Sequence, residues 1–169
     1  QYQAGEKPAE STIAVSAQSF YGRGVIQPSL WQDDDGMVHM LLRSSEGHVY
    51  RSDSRDEGES WNNAYPLTLP NNNSGLDLVR ASFDGELYLL CNPVAANWGV
   101  RSPMSLFKST DNGCNCTKLY DLATESNEFS YPAIIAEEEG LVLTFTWKRE
   151  NIICFWIDKY IARLFNTNI

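Results

Sequence analysis

Positive charge is scarce in this sequence: 13 Lys+Arg stand against 22 Asp+Glu over 169 residues, for a net charge of −9 and a pI near 4.6. That balance excludes a nucleic-acid partner, because gripping phosphates needs a basic footprint. Cysteine is scarce too. Cys91, Cys114, Cys116 and Cys154 are too few for a disulfide scaffold, and their spacing fits no zinc site. Cys114 and Cys116 are separated by a single residue, and His39 and His48 lie far from both. Ordinary thiols are expected, with no metal and no cofactor. Long apolar runs are missing as well. The longest, residues 152–157, falls far short of the roughly 18 residues of a membrane span. The first residue is Gln1 and no charged-then-apolar leader follows it, as expected of a fragment or of a chain whose leader has been removed. The protein is therefore expected to be soluble, either cytoplasmic or secreted. The sequons at Asn72 and Asn115 matter only in the second case.

Aromatic residues are plentiful, at 12% with five Trp and eight Tyr, and they favour β structure over a helical bundle. An apolar fraction of 43% is that of a folded globular domain. Three stretches repeat one another: residues 28–43, 78–92 and 132–148. Each reads as an apolar strand, an acidic turn ending in Gly36, Gly85 or Gly140, and a second apolar strand. The glycines suit tight hairpins, which need positive φ at one position. Third strands follow at 48–52, 104–108 and 152–157.

Two of these third strands run into a shared motif. Ser54-Arg-Asp56-Glu-Gly58-Glu-Ser-Trp61 has the form Ser-x-Asp-x-Gly-x-x-Trp, and Ser109-Thr-Asp111-Asn-Gly113-Cys-Asn-Cys116 repeats it with Cys in place of Trp. Ser54 and Ser109 stand 55 residues apart, the same interval as Gly85 and Gly140. The Asp can accept hydrogen bonds from its own turn, the Gly takes the left-handed conformation, and the Trp can fill the gap between neighbouring units. The boxes are read as fold markers, since Ca²⁺ would need about six to eight oxygen ligands. Units of ~50 residues with three or four antiparallel strands are the blades of a β-propeller, which needs ~4–8 of them to close. A third box projects to residues 162–168, where no such motif is found.

At and around these boxes the sequence resembles the sialidase superfamily, in particular its BNR-repeat sialidase-like branch. The matching stretches are Gly24-Val-Ile-Gln-Pro-Ser-Leu-Trp31, His39-Met-Leu-Leu-Arg-Ser44, Tyr50-Arg-Ser-Asp-Ser54, Asn73-Ser-Gly-Leu-Asp-Leu78, Asn97-Trp-Gly-Val-Arg-Ser-Pro103 and Phe129-Ser-Tyr-Pro-Ala-Ile134. The resemblance implies an all-β, partial propeller of about three blades, the C-terminal half of a six-bladed sialidase-type ring. Residues 1–23 would belong to a preceding blade or linker, 24–158 to the three blades with boxes at 54–61 and 109–116, and 159–169 to an atypical tail.

The family holds a substrate carboxylate with three arginines and uses a Tyr–Glu pair as nucleophile and base, with an Asp as acid/base. In such blades the starts of innermost strands and the ends of second strands face the axial mouth. Carried onto this sequence, the strand starts are Gln27, Asp77 and Tyr131, and the strand ends are Arg43, Asn92 and Lys148. Arg101 lies in a stretch similar to the one that carries a family arginine. Tyr131 matches the nucleophile and Asp77 stands as its base, where sialidases have Glu. Arg43, Arg101, Gln27, Asn92 and Lys148 would bind substrate. Each also has a plain structural use: a capped core tyrosine, a turn carboxylate, surface cations. His39 and His48 fall within strands and suit packing.

The implied function is a retaining, exo-α-sialidase-type glycoside hydrolase acting on sialic acid or another acidic sugar. The alternatives are a carbohydrate-binding propeller without catalysis, or a truncated inactive fragment. Asn92-Pro93 where an arginine is frequent, Cys116 for Trp and the missing third box favour these. Three blades leave sheet edges unpaired, so a second copy or the missing N-terminal blades are expected as partners. The strands 37–42, 87–90 and 141–145 are expected to be bared on the inner faces.

Overall fold

The computed structural model describes residues 12–14 and 24–164. These form three antiparallel sheets that follow one another along the chain as blades of a β-propeller. The first contains β1 (Val25–Gln32), β2 (Val38–Ser44), β3 (His48–Ser54) and β4 (Tyr65–Pro70). The second contains β5 (Asp77–Arg80), β6 (Leu87–Cys91), β7 (Met104–Ser109) and β8 (Thr117–Ala123). The third has β9 (Phe129–Glu137), β10 (Gly140–Trp147) and β11 (Asn151–Asp158), followed by the short helix α1 (Lys159–Leu164). Strands pair in chain order within each sheet, and the innermost strands meet, β1 with β5 and β5 with β9.

The hairpins fall where the acidic turns predict them. In the first, Asp33 Oδ1 accepts the N–H groups of Asp35 and Met37 at 3.1 and 2.9 Å, and Gly36 sits at φ +83°. Gly85 turns the second at φ +77°. Gly140 differs: its φ is not left-handed, and a Cβ there would lie 2.2 Å from the Ile157 carbonyl oxygen. The third glycine is required by the close approach of β11, a long-range contact that a local turn pattern does not encode.

The apolar strands expected to be bare are instead the cores between blades. Leu41, Leu87 and Leu89 share one cluster between the first two sheets, centred on Trp31 and Phe107. Leu90, Leu141, Leu143 and Phe145 share another between the second and third. Every residue of β6 and β7 is buried, because the middle blade is covered on both faces. Alternation along each strand sends side chains to opposite faces, so one strand feeds two cores.

Both boxes have the geometry predicted for them. Ser54 Oγ donates to Asp56 at 2.7 Å and accepts the N–H of Gly58 at 2.8 Å. Asp56 also accepts the Ser60 N–H at 2.8 Å. The Ser60 and Ser54 hydrogen bonds hold its carboxyl down at about 2. Ser109, Asp111, Gly113 and Asn115 repeat these bonds. Trp61 packs on the Met40–Leu42–Tyr50 cluster, while Cys116 in its place joins the Trp31 cluster. Where a third box was projected, α1 runs to Leu164 and the remaining positions lie outside the described residues.

The second box also latches two blades. Asn112 accepts the Trp31 indole N–H at 2.7 Å and donates to Asp33 at 3.1 Å. Its carbonyl takes Arg51 Nη1 at 2.6 Å. His39 does more than pack: it is buried, with Nδ1 2.6 Å from Asp53 and Nε2 2.9 Å from Asp33. Gly113→Ala and Gly36→Ala would each place a side chain at left-handed φ, costing about 1–2 kcal/mol. A Cβ at Gly113 would also stand 2.9 Å from the Trp31 ring, whereas one at Gly36 meets nothing nearer than 4.0 Å. Gly113→Ala is therefore expected to lower the urea midpoint well beyond Gly36→Ala. Equal losses would show that the box does not bear on Trp31.

Candidate functional site

Two bulges build the mouth. In β1 the register slips between Ile26 and Ser29, and in β9 it slips opposite Thr144 to Thr146. The residues displaced are Gln27 and Tyr131, at φ +56° and +53°, each followed by a proline. Left-handed backbone is costly for a bulky L residue and is further disfavoured before proline. Of the eight non-glycine residues at positive φ among the described residues, Glu57 and Asn112 belong to the box turns. The other six, Gln27, Asn73, Trp98, Tyr131, Lys148 and Arg149, belong to the loops and bulges at the mouth. Strain of this kind gathers at functional sites.

Of the predicted residues, the structure brings Gln27, Arg43, Arg101 and Tyr131 together. Arg43 Nη1 donates to Gln27 Oε1 at 3.2 Å, while its Nε is buried without a partner among the described residues. Burial, and then the charge of Arg101, push the Arg43 guanidinium below its ordinary value. The Arg101 guanidinium lies 6.0 Å from the centre of the Tyr131 ring. Tyr131 is 58% exposed, and its hydroxyl makes no hydrogen bond among the described residues.

Two residues of the cluster are not in the predicted set. Glu128 Oε1 accepts Arg101 Nη1 at 3.0 Å and Arg149 Nε at 2.8 Å. Arg149 rides on the β10–β11 hairpin, whose Lys148 and Arg149 are both left-handed, the conformation of a turn that prefers Asn-Gly. Backbone bonds fix the hairpin and the Arg101 loop to one segment: Lys148 N–H to Glu128 O at 2.8 Å, and Phe129 N–H to Arg101 O at 2.9 Å. Glu128 raises the Arg149 guanidinium above its ordinary value, and Tyr131 adds to this. Three guanidiniums thus lie around one tyrosine, and one carboxylate pairs with two of them. An open cavity of about 700 Å³ continues from Arg101, Glu128 and Arg149.

The remaining predicted residues stand differently. Lys148 lays its ammonium 5.3 Å from the Trp147 ring. Asn92 is fully buried, taking the Ser74 hydroxyl at 2.7 Å and donating to Pro103 O at 2.8 Å. It shapes the loops behind the mouth. Asp77 accepts the Ser29 hydroxyl on Oδ1 at 2.7 Å and the Ile134 N–H on Oδ2 at 3.0 Å. Among the described residues no hydrogen bond joins it to Tyr131. Asp77→Ala removes both acceptors and strands a backbone N–H, at a cost of about 1–3 kcal/mol. Tyr131→Phe removes a hydroxyl that no described group holds, so its melting midpoint is expected to match the parent's. Scanning calorimetry of both variants checks this, and a parental midpoint for Asp77→Ala would remove the carboxylate from its clamping role.

The chain is similar to a Penicillium chrysogenum alpha-L-arabinanase complexed with arabinobiose, with a TM-score of 0.68 and 14% identity over 88% of this chain and 50% of that one. It is similar to a leech intramolecular trans-sialidase, with a TM-score of 0.63 and 16% identity over 79% of this chain and 23% of that one. For the intramolecular trans-sialidase of Ruminococcus gnavus the values are 0.61 and 18%, over 79% and 32%. The chain thus spans half the length of these proteins or less. No curated protein matches it. The model of the BNR repeat-like domain matches residues 7–143, most of the chain, and the chain belongs to that family.

Proposed function

We propose that this chain carries part of the active site of a glycoside hydrolase that takes an acidic sugar, such as a sialic acid. The observation that carries the reading is the convergence of Arg43, Arg101 and Arg149 on Tyr131, with Glu128 pairing two of the three. A chain of net charge −9 that gathers cations at one mouth favours an anionic ligand there. The similar structures include an arabinanase and an arabinofuranosidase as well as trans-sialidases, so they leave the substrate class open, and the guanidinium excess favours the acidic one. The sugar carboxylate would pair with the arginines, whose planar forks suit it. The Tyr131 oxygen would then give up its proton to a carboxylate base and bond to the anomeric carbon as the glycosidic C–O bond breaks. The leaving oxygen would take a proton from an acid on the blades that complete the mouth. Water would release the sugar in a second displacement, with configuration retained.

One observation favours a second reading, a propeller that binds the sugar without cleaving it. Both oxygens of Asp77, the residue proposed as base, are engaged with Ser29 and Ile134. Thermal stabilisation by free N-acetylneuraminic acid, run beside hydrolysis of its 4-methylumbelliferyl glycoside, separates the two. Stabilisation with turnover supports the enzyme, stabilisation alone supports the binding module, and neither result would remove the acidic sugar. Arg101→Ala is expected to weaken binding by about 1.5–3 kcal/mol, the range for charged hydrogen bonds. Tyr131→Phe is expected to abolish turnover and spare binding.

The mouth would be closed by further blades, supplied by a second copy of this chain or by N-terminal blades. Ile135, Ile152 and Trp156 leave an exposed apolar surface on the third sheet, as Ile26 and Leu30 do on β1, and surfaces of this kind mark contact sites. Light scattering is expected to report a dimer or larger species, and a stable monomer with a cooperative melt would count against it.

A further inference from the structure

We propose that Asn115 is an acceptor for N-linked sugar, carried at the end of the second blade away from the mouth, and that the folded protein carries none at Asn72. The sequence offers both alike. Asn72-Asn73-Ser74 and Asn115-Cys116-Thr117 each have the Asn-x-Ser/Thr form that is modified when a chain enters a secretory lumen. The fold separates them.

Asn72 is 1% exposed, and its amide nitrogen donates to the carbonyls of Gly99 and Val100. A side-chain amide has two hydrogens, so both are engaged. Its oxygen accepts the hydroxyl of Ser74, the third sequon residue, which is buried as well. A sugar on this nitrogen would displace one buried bond and leave a carbonyl without its donor.

Asn115 is exposed, and so is Thr117. In the second box the Asn115 N–H reaches Asp111 Oδ1 at 2.8 Å, and Nδ2 donates to Asp111 Oδ2 at 2.7 Å. Ser60 makes the same pair of bonds with Asp56 in the first box. The turn therefore needs one side-chain hydrogen at this position. A serine hydroxyl has just one, whereas the amide of Asn115 has a second, which finds no acceptor among the described residues. In the transfer, Nδ2 bonds to C1 of the first sugar as the C1–O bond to a lipid-linked diphosphate breaks. The diphosphate leaves with the bonding pair, and the amide gives up one proton to the transferase. The proton that remains still serves Asp111.

The position also suits a bulky polar group. Val38 pairs with Ser54 of the first box and Ser44 pairs with Val25, so β2 runs from the box end of the blade to the mouth. Asn112 of the second box touches Asp33 in the β1–β2 hairpin, at the end of β1 opposite Gln27. Sugar on Asn115 leaves the mouth open. On Asn72 it would enter the loop that Asn73 ties to Asn97, next to Arg101.

The test directs the full chain into the endoplasmic reticulum of yeast and releases its N-glycans with a peptide amidase in heavy-oxygen water, which leaves a labelled Asp wherever an Asn carried sugar. In the secreted chain, sugar is expected at Asn115 and absent at Asn72. Thr117→Ala is expected to abolish it and Thr117→Ser to keep it. The secreted chain is also expected to melt at the midpoint of the sugar-free chain made in bacteria, because the Asp111 bond survives. Sugar at Asn72 in secreted chain, a lowered midpoint, or an Asn115 without sugar overturns the proposal. Chain retained in the cell is mapped as well, and there too an unmodified Asn115 overturns it.

Discussion

The carboxylate of Asp77 is where three blades meet. It stands at the start of β5 and holds the Ser29 hydroxyl of the first sheet on one oxygen and the Ile134 N–H of the third on the other. Ser29 lies two residues beyond Gln27, and Ile134 three beyond Tyr131. Both left-handed bulges are therefore pinned on their far side by the same group. A bulge leaves one residue without a ladder partner and increases local twist, so without a clamp it could slide along the strand. The position of the tyrosine thus depends on a carboxylate that does not bond to it. A carboxylate joining the first and third sheets also accounts for Asp here: its two oxygens accept from two donors at once.

Around that clamp the charge is uneven. The acidic excess of the chain is spread over turns, where carboxylates bind their own backbone, as at Asp33, Asp56 and Asp111. Such acids are spent locally and contribute little to the field at the mouth. The guanidiniums of Arg43, Arg101 and Arg149 come from three different loops or strand ends, and Glu128 pairs with the last two. A net charge of −9 and a cationic mouth therefore coexist without conflict. Glu128 also keeps Arg101 and Arg149 at a fixed spacing, so that an entering anion meets preplaced donors.

Much of this is legible in the sequence, for a physical reason. Hairpin chemistry and the boxes are local, so the repeat of turn, strand and box fixes the blades. The blades in turn fix which ends of which strands share a mouth. Arg43, Arg101, Gln27 and Tyr131 follow from that logic. Glu128 and Arg149 do not: Glu128 lies in the loop before β9, outside the repeated strands, and Arg149 depends on a left-handed backbone that its residue type disfavours. Lys148-Arg149 reads as a solvated pair closing a strand, and only the left-handed turn swings Arg149 inward. By register the counterpart of Arg43 is Thr146, which pairs with Ser130 as Arg43 pairs with Ile26, so Arg149 enters the mouth from the turn beyond the strand and blade equivalence does not point to it. Asn92 and Asp77 show the reverse case. Their strand ends lie beside the bulged strands, but their polar atoms are taken by neighbours that lie far off in the sequence.

Strain and packing are linked across the molecule. Each left-handed residue at the mouth costs on the order of 1–2 kcal/mol, and no local interaction offsets that. What holds these residues is the pair of inter-blade cores, where Tyr88, Leu90, Leu141 and Phe145 on one side and Leu41, Val49 and Leu89 on the other are almost fully buried. Both cores converge on the middle blade, whose second and third strands expose no residue. That blade also supplies Asp77 and the loop bearing Arg101 and Trp98. The most rigid sheet thus carries the clamp and the loop, while its two neighbours carry the bulges. A rigid scaffold can sustain strained residues that a mobile loop would relax, and here that rigidity holds Tyr131 and its arginines in one place.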